Sequence, residues 1–177
     1  FLPDADREIA WELGVESLDK ELQQVAPDAL TGGQTVDKLV GVRLRDGSDT
    51  WVLVHIEVQS QPDLTFDERM FRYHTRLYDL HRREVVSLAI PGDERRNWRP
   101  RRFRYARWGC AVSMTFPAFK LLDYPLEQLA ADPNPCATVI LAHRTAQATR
   151  RDPEGRAAAK FALTRRLYER GYEAGDI

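Results

Sequence analysis

Cysteine is scarce in this chain. Only Cys110 and Cys136 occur in 177 residues, which excludes a disulfide scaffold. Neither stands in a CxxC or Cys/His cluster with zinc spacing, so a structural zinc module is excluded as well. Without a signal peptide, the two thiols read as reduced and the protein as cytoplasmic. Long apolar runs are absent too. None reaches the ~18 residues of a membrane span, so no membrane is expected among the partners. Charge of one sign is lacking: the formal net charge is −1, and the global field does not advertise nucleic acid. Lysine is rare, at Lys20, Lys38, Lys120 and Lys160 alone. There is no internal repeat and no low-complexity tract, which removes solenoids and disordered linkers. The chain opens at Phe1 without methionine and closes on Gly175-Asp176-Ile177, as an excerpt of a longer protein would.

With 43% hydrophobic and 30% charged residues, the chain has the make-up of one compact domain with a sizeable core. Its most informative stretch runs from Val36 to Ser60. From Trp51 to Gln59 the residues alternate faces with a period of two and are rich in β-branched types, as a strand requires. Val52, Val54, Ile56 and Val58 share one face, and Trp51, Leu53, His55, Glu57 and Gln59 the other. Between Val36 and Leu44 the apolar set is Val36, Val40, Val42 and Leu44, interrupted by Lys38. Asp37, Leu39 and Gly41 lie opposite. Asp46-Gly47 is a hairpin signal between the two runs. Matching the valine faces requires paired numbers with an even sum. That register sets Asp37 opposite Glu57 and needs an odd-length loop or a bulge at Gly41. The carboxylates should then approach within about 4–6 Å, close enough to share one hard cation through oxygen ligands.

Along the rest of the chain, Asp4 or Asp6 can cap a first helix with Ile9 and Leu13 inward, broken at Gly14. Ser17 restarts helix through Val25, with Leu18, Leu22 and Val25 inward. Pro27 to Gly33 is a loop. Thr65-Phe66-Asp67-Glu68 has the form of a capping box opening a helix to about His81. Its apolar stripe is Phe66, Met70, Tyr73, Leu77 and Leu80, and its basic stripe Arg69, Arg72 and Arg76. Val85 to Ile90 reads as a buried strand. Arg95 to Arg107 is irregular or edge-like, and Ala111 to Phe116 a further strand. A short helix lies within Leu121 to Ala131. Asn134 and Pro135 cap and open a helix to about Thr149. A last helix runs from about Pro153 to Arg170, ended by Gly171.

The order helix, strand, strand with Glu57-Val58-Gln59, helix, strand resembles the core of the PD-(D/E)XK nuclease superfamily. More narrowly, the chain is similar to the recombination-promoting nuclease family of transposase-like proteins. The matching residues are Val36-Asp37-Lys38-Leu39-Val40, His55-Ile56-Glu57-Val58-Gln59, Arg69-Met70-Phe71-Arg72-Tyr73 and Val86-Ser87-Leu88-Ala89-Ile90, followed by Asn134-Pro135 and Leu167-Tyr168-Glu169-Arg170-Gly171. The family's amino-terminal His-Asp-x-x-Phe-Lys segment is absent, and the third strand of the superfamily pattern has no match in this reading. The resemblance implies an α/β fold: a three-layer restriction-endonuclease-like core over about residues 4–116, with a mixed central sheet, and a helical extension over about 117–177. It implies a metal-dependent DNA endonuclease acting in DNA recombination, with Asp37 and Glu57 holding Mg²⁺ (or Mn²⁺), joined by the Val58 carbonyl and by Glu21 on the preceding helix. The third motif residue, lysine in most relatives, is Gln59. A neutral amide cannot act as a base, although it can orient a water or bond a phosphate oxygen. A catalytically weak relative serving as a DNA- or protein-binding scaffold is the alternative. The likeness to transposases suggests a homodimer.

Arg69, Arg72 and Arg76, directly after the motif strand, are candidates for phosphate contact, as are Arg99, Arg101 and Arg102. Seven arginines fall between Arg95 and Arg107, interleaved with Trp98, Phe103, Tyr105 and, just beyond, Trp108. That mixture suits backbone contact and base stacking. It equally suits a protein interface, or an arm whose arginines pair with the chain's own acids.

Overall fold

The computed structural model describes residues 2–25, 36–46, 51–59, 61–169 and 171, with the backbone alone at 3, 23, 25, 36, 37 and 51–59. The expected loop at 27–33 lies outside the described residues. The chain divides into two units, Phe1–Lys120 and Leu121–Ile177.

The first unit is mixed α/β. Its described elements are α1 (Pro3–Glu8), a 3₁₀ turn (Trp11–Leu13), β1 (Glu16–Ser17), α2 (Asp19–Val25), β2 (Val36–Arg43), β3 (Trp51–Gln59), α3 (Phe66–His81), β4 (Glu84–Pro91), β5 (Arg102–Arg107) and β6 (Cys110–Thr115). One sheet has the order β1-β2-β3-β4. Its first two pairings are antiparallel and β3–β4 is parallel. The parallel pair needs a crossover, and α3 supplies it. Ser17, expected to restart a helix, instead pairs with Val40 in β1, and α2 begins two residues later. β1 is a two-residue ladder, too short for periodicity to mark.

Each side of the sheet has its own cover. Leu39 packs with Leu22 of α2 and with Tyr73 and Leu77 of α3. At the other parity Val42 packs with Ile9, flanked by Ala5, Val40 and Leu44. The segment after α1 is tied there by backbone bonds from Ala10 N to Arg43 O and from Arg45 N to Glu8 O, each 2.8 Å. Phe66 and Met70 of α3 bury Ala89 of β4 together with Phe116. Fully burying one such large side chain contributes ~1.5–3 kcal/mol.

Three helix details differ from expectation. Leu13 is 61% exposed, because the chain has left α1 for a 3₁₀ turn that Gly14 ends at φ 78°. Leu80 is 50% exposed, so the buried stripe of α3 stops at Leu77, shortly before the left-handed cap at Arg82. The capping box does not form. Thr65 makes no side-chain cap bond. Its hydroxyl and N–H both donate to Asp63 Oδ1 at 2.8 Å. The nearby carboxylate outcompetes the helix end.

The stretch read as irregular or edge-like contains an ordered strand. β5 and β6 form an antiparallel two-stranded ribbon from Arg102↔Thr115 to Arg107↔Cys110. Trp108 and Gly109 make its turn at φ 50° and 82°. Positive φ at both central residues is what a two-residue hairpin of type I′ requires.

The second unit is helical: a 3₁₀ turn (Leu121–Asp123), α4 (Leu126–Ala131), α5 (Pro135–Ala148) and α6 (Pro153–Glu169). Leu129, Ala137 and Leu141 form its core. Asn134 Oδ1 accepts from Cys136 N at 2.9 Å and caps α5, with Pro135 in its first turn. Arg144 donates to the carbonyls of Leu121 at 2.8 Å and Tyr124 at 2.9 Å, fastening the 3₁₀ turn to α5. Gly171, at φ 87°, follows α6. Among the described residues no helix is long and apolar enough to cross a membrane.

Candidate active site

The β2–β3 ladder is regular from Val36↔Val58 to Arg43↔Trp51. Every pair has the even sum that the apolar pattern requires. Gly41 pairs normally with Leu53, so no bulge is present, and the intervening segment 44–50 has odd length. Asp37 and Glu57 are direct cross-strand partners. Such partners have Cα atoms about 4.5–5.5 Å apart. On the other side of β3, Glu57 pairs with Ala89 and Gln59 with Pro91. The side chains of Asp37, His55, Glu57, Val58 and Gln59 lie outside the described residues, and with them the expected approach of the carboxylates.

Neighbours that are described locate these register positions. Leu39, two residues beyond Asp37, is fully buried against α2 and α3. Ala89, level with Glu57, is fully buried under Phe66 and Met70 of α3. Ser87, level with His55, shares a 3.1 Å hydrogen bond with His74 Nδ1 of α3. All occupy the same parity of the sheet as Asp37 and Glu57. Glu21, half-buried on α2, precedes the buried Leu22. Its helix is held to β2 by the Lys38–Asp19 ion pair at 2.6 Å and by Leu18 N donating to Leu39 O at 2.9 Å. Among the described residues no group of three or more His, Cys, Asp or Glu could hold a metal ion.

The candidate arginines part company. Arg69 is half-buried, bonded to Asp63 at 2.5 Å and set over the Phe66 ring at 5.2 Å. Its charge is engaged by the fold. Arg72 is half-buried and Arg76 exposed on the same helix. Arg99 is exposed and donates to Arg96 O at 3.2 Å. Arg101 and Arg102 are exposed where the β5–β6 ribbon begins. The aromatics divide as well. Trp98 packs edge-on to Phe66 at 5.5 Å, and Phe103 stacks on Phe71 of α3 at 4.7 Å. Tyr105 and Trp108 stay exposed.

Two charged features have no counterpart in the sequence reading. Asp93 and Lys120 form an ion pair of 2.5 Å with both side chains only 2% exposed. Lys120 also donates to Trp98 O at 3.1 Å, and Asp93 accepts from Arg95 N at 2.8 Å. Asp67, within the expected capping box, has one carboxyl oxygen buried without a hydrogen-bond partner among the described residues. Burial raises its pKa, partly offset by the Arg101 N–H.

Comparison with family models, with curated proteins and with solved structures finds no match to this chain.

Proposed function

We propose that the chain is a metal-dependent DNA endonuclease of the transposase-like type, working as a homodimer in DNA recombination on a three-layer restriction-endonuclease-like core. One observation carries this: the register that makes Asp37 and Glu57 cross-strand partners. It is the register that the alternating valines of the sequence call for, and it sets two acidic residues at one level of the sheet.

The donor set is all oxygen, which suits a hard cation. Asp37, Glu57, the Val58 carbonyl and Glu21 would hold Mg²⁺ or Mn²⁺, which when bound activates a water and neutralises charge on the phosphodiester. Gln59, two residues beyond Glu57 on the same strand, orients the attacking water through its amide. Arg72 and Arg76 on α3, with Arg99, Arg101 and Arg102, hold the flanking phosphates. Arg69 keeps its neighbour Asp63 charged and contributes to the field from within the fold.

A second reading is a weak or inactive relative that binds DNA or protein as a scaffold. Gln59 favours it, since an amide supplies neither a base nor a positive charge. Nicking of supercoiled plasmid separates the two. Under the leading reading Mg²⁺ or Mn²⁺ supports nicking, and Asp37→Ala or Glu57→Ala lowers it by ~100-fold or more. Nicking that survives both substitutions refutes this active site. Metal-independent DNA binding with no nicking selects the scaffold.

A further inference from the structure

The β5–β6 ribbon carries a residue that the fold has no use for. Trp108 sits at its tip, 94% exposed, with φ 50°. The left-handed region strains a bulky residue, and Asn, Asp or Gly would fit this turn better. An exposed indole also gives up the burial that would offset that strain. Its one described contact is with Arg107, whose guanidinium lies 5.6 Å from the ring centroid. Strain held at an exposed position without a packing return points to function.

The ribbon beneath it is two-faced. Phe103, Tyr105 and Arg107 pair with Met114, Val112 and Cys110. This face rests at its base on α3, through Phe103 on Phe71. Arg102 and Arg104 pair with Thr115 and Ser113 on the opposite face, and all four are exposed. Among the described residues neither Arg102 nor Arg104 forms an ion pair. No Asp or Glu occurs from Arg95 to Leu122, against eight cations, in a chain that as a whole carries 26 cations and 27 acids. Of the eight, Lys120 is neutralised by the buried Asp93. Positive charge is thus gathered on this ribbon and its approach, while the rest of the chain is acidic.

We propose that the ribbon is a DNA-contacting arm: Arg102 and Arg104 bind phosphates along one strand, aided by the Ser113 and Thr115 hydroxyls, while Trp108 stacks on an unpaired base. It takes its partner, DNA, from the function proposed above, but it requires no cleavage. The indole favours unpaired bases because an intact duplex offers no open ring face, whereas every unpaired base does. Guanidinium groups on the polar face suit closely spaced phosphates.

The test is fluorescence anisotropy of a labelled single-stranded oligonucleotide with the full chain, in EDTA so that cleavage plays no part. Trp108→Asn should weaken binding by ~5- to 100-fold, the range for loss of one stacked base. Its melting temperature should be equal to or above that of the parent chain, because asparagine fits the left-handed turn. Arg102→Ser with Arg104→Ser should weaken binding and flatten the slope of log affinity against log salt by ~0.7 for each phosphate no longer neutralised. Binding by Trp108→Asn within twofold of the parent chain overturns the arm. So does a lowered melting temperature, which would make Trp108 a folding residue. Binding of poly-glutamate without binding of DNA assigns the ribbon to an acidic protein and overturns it too. A failed nicking assay with these binding results intact removes the nuclease and leaves the arm.

Discussion

Asp63 and Asp67 flank the start of α3 and titrate in opposite directions. Burial pushes Asp63 upward, but the Thr65 N–H and hydroxyl and the Arg69 guanidinium outweigh it, and its pKa is lowered. A depressed carboxylate contributes stability above the ordinary carboxylate range and loses it as pH falls through the folded pKa. Asp63→Asn should therefore cost ~1–3 kcal/mol at neutral pH, shrinking towards zero in acid. Burial raises Asp67 and the Arg101 N–H only partly compensates, so the sign reverses. Its charge costs stability at neutral pH, and the cost vanishes as pH falls below the ordinary carboxylate value. Asp67→Asn should be neutral to stabilising by up to ~1 kcal/mol at neutral pH, with no gain in acid. Urea denaturation at stepped pH checks both, and equal signs for the two variants would contradict the assigned environments. The buried Asp93–Lys120 pair obeys a different rule. Lys120→Met leaves an uncompensated carboxylate and should cost ~3–5 kcal/mol, whereas Asp93→Asn with Lys120→Met should recover much of that loss. A double-mutant cycle in urea measures it.

Two helix starts show how local chemistry decides an element. Asn134 and Thr65 both stand at candidate N-caps. Asn134 caps α5 through its side chain, and Asn134→Ala should cost ~0.5–2 kcal/mol, read as a lower urea midpoint followed by helical circular dichroism. Thr65 spends its hydroxyl on Asp63, so the same substitution there should act by weakening Asp63, and its effect should fade in acid. The capping-box spacing was visible in the sequence. Asp63, two residues upstream, was the competitor that spacing rules do not weigh. Strand content was legible where alternation was long. The two runs before Pro62 pair in the register that valine matching demands. Short pairings were not legible: β1 is two residues long, and Arg102–Arg107 gave little signal because hardly any of either face is buried, Phe103 alone being less than exposed.

At the scale of the whole molecule, a bound cation should stabilise the folded chain, because the two strands that carry Asp37 and Glu57 are brought together only by folding. Binding to the folded state alone adds ~2.7 kcal/mol at a hundred dissociation constants. Mn²⁺ or Mg²⁺ should raise the melting temperature of the parent chain and leave Asp37→Ala and Glu57→Ala unmoved. EDTA should reverse the rise. A shift of equal size in all three would mean that the ion binds elsewhere. Net charge predicts little here, since cations gather between Arg95 and Lys120 while acids prevail outside it. If the proposed function holds, association with DNA should still weaken with salt, because the local field would govern it.

What the sequence determined by itself were the features that depend on near neighbours or a short period. Alternating valines set strand faces, and with them the pairing of Asp37 with Glu57. Asn134-Pro135 opened α5, and Gly171 follows α6. The buried stripe of α3 from Phe66 to Leu77 followed from helical spacing. Only the tertiary structure decided which charges the fold uses. Asp93 and Lys120 lie 27 residues apart and meet because the segments after β4 and β6 converge there. Arg69 is taken by Asp63, and Trp98 and Phe103 are claimed by apolar packing. Trp108 is left outside because a type I′ turn at a ribbon tip has nothing to bury it against. Burial is a sum over residues distant in sequence: helical spacing marks a stripe, as on α3, but not where its cover stops, as the exposed Leu80 shows.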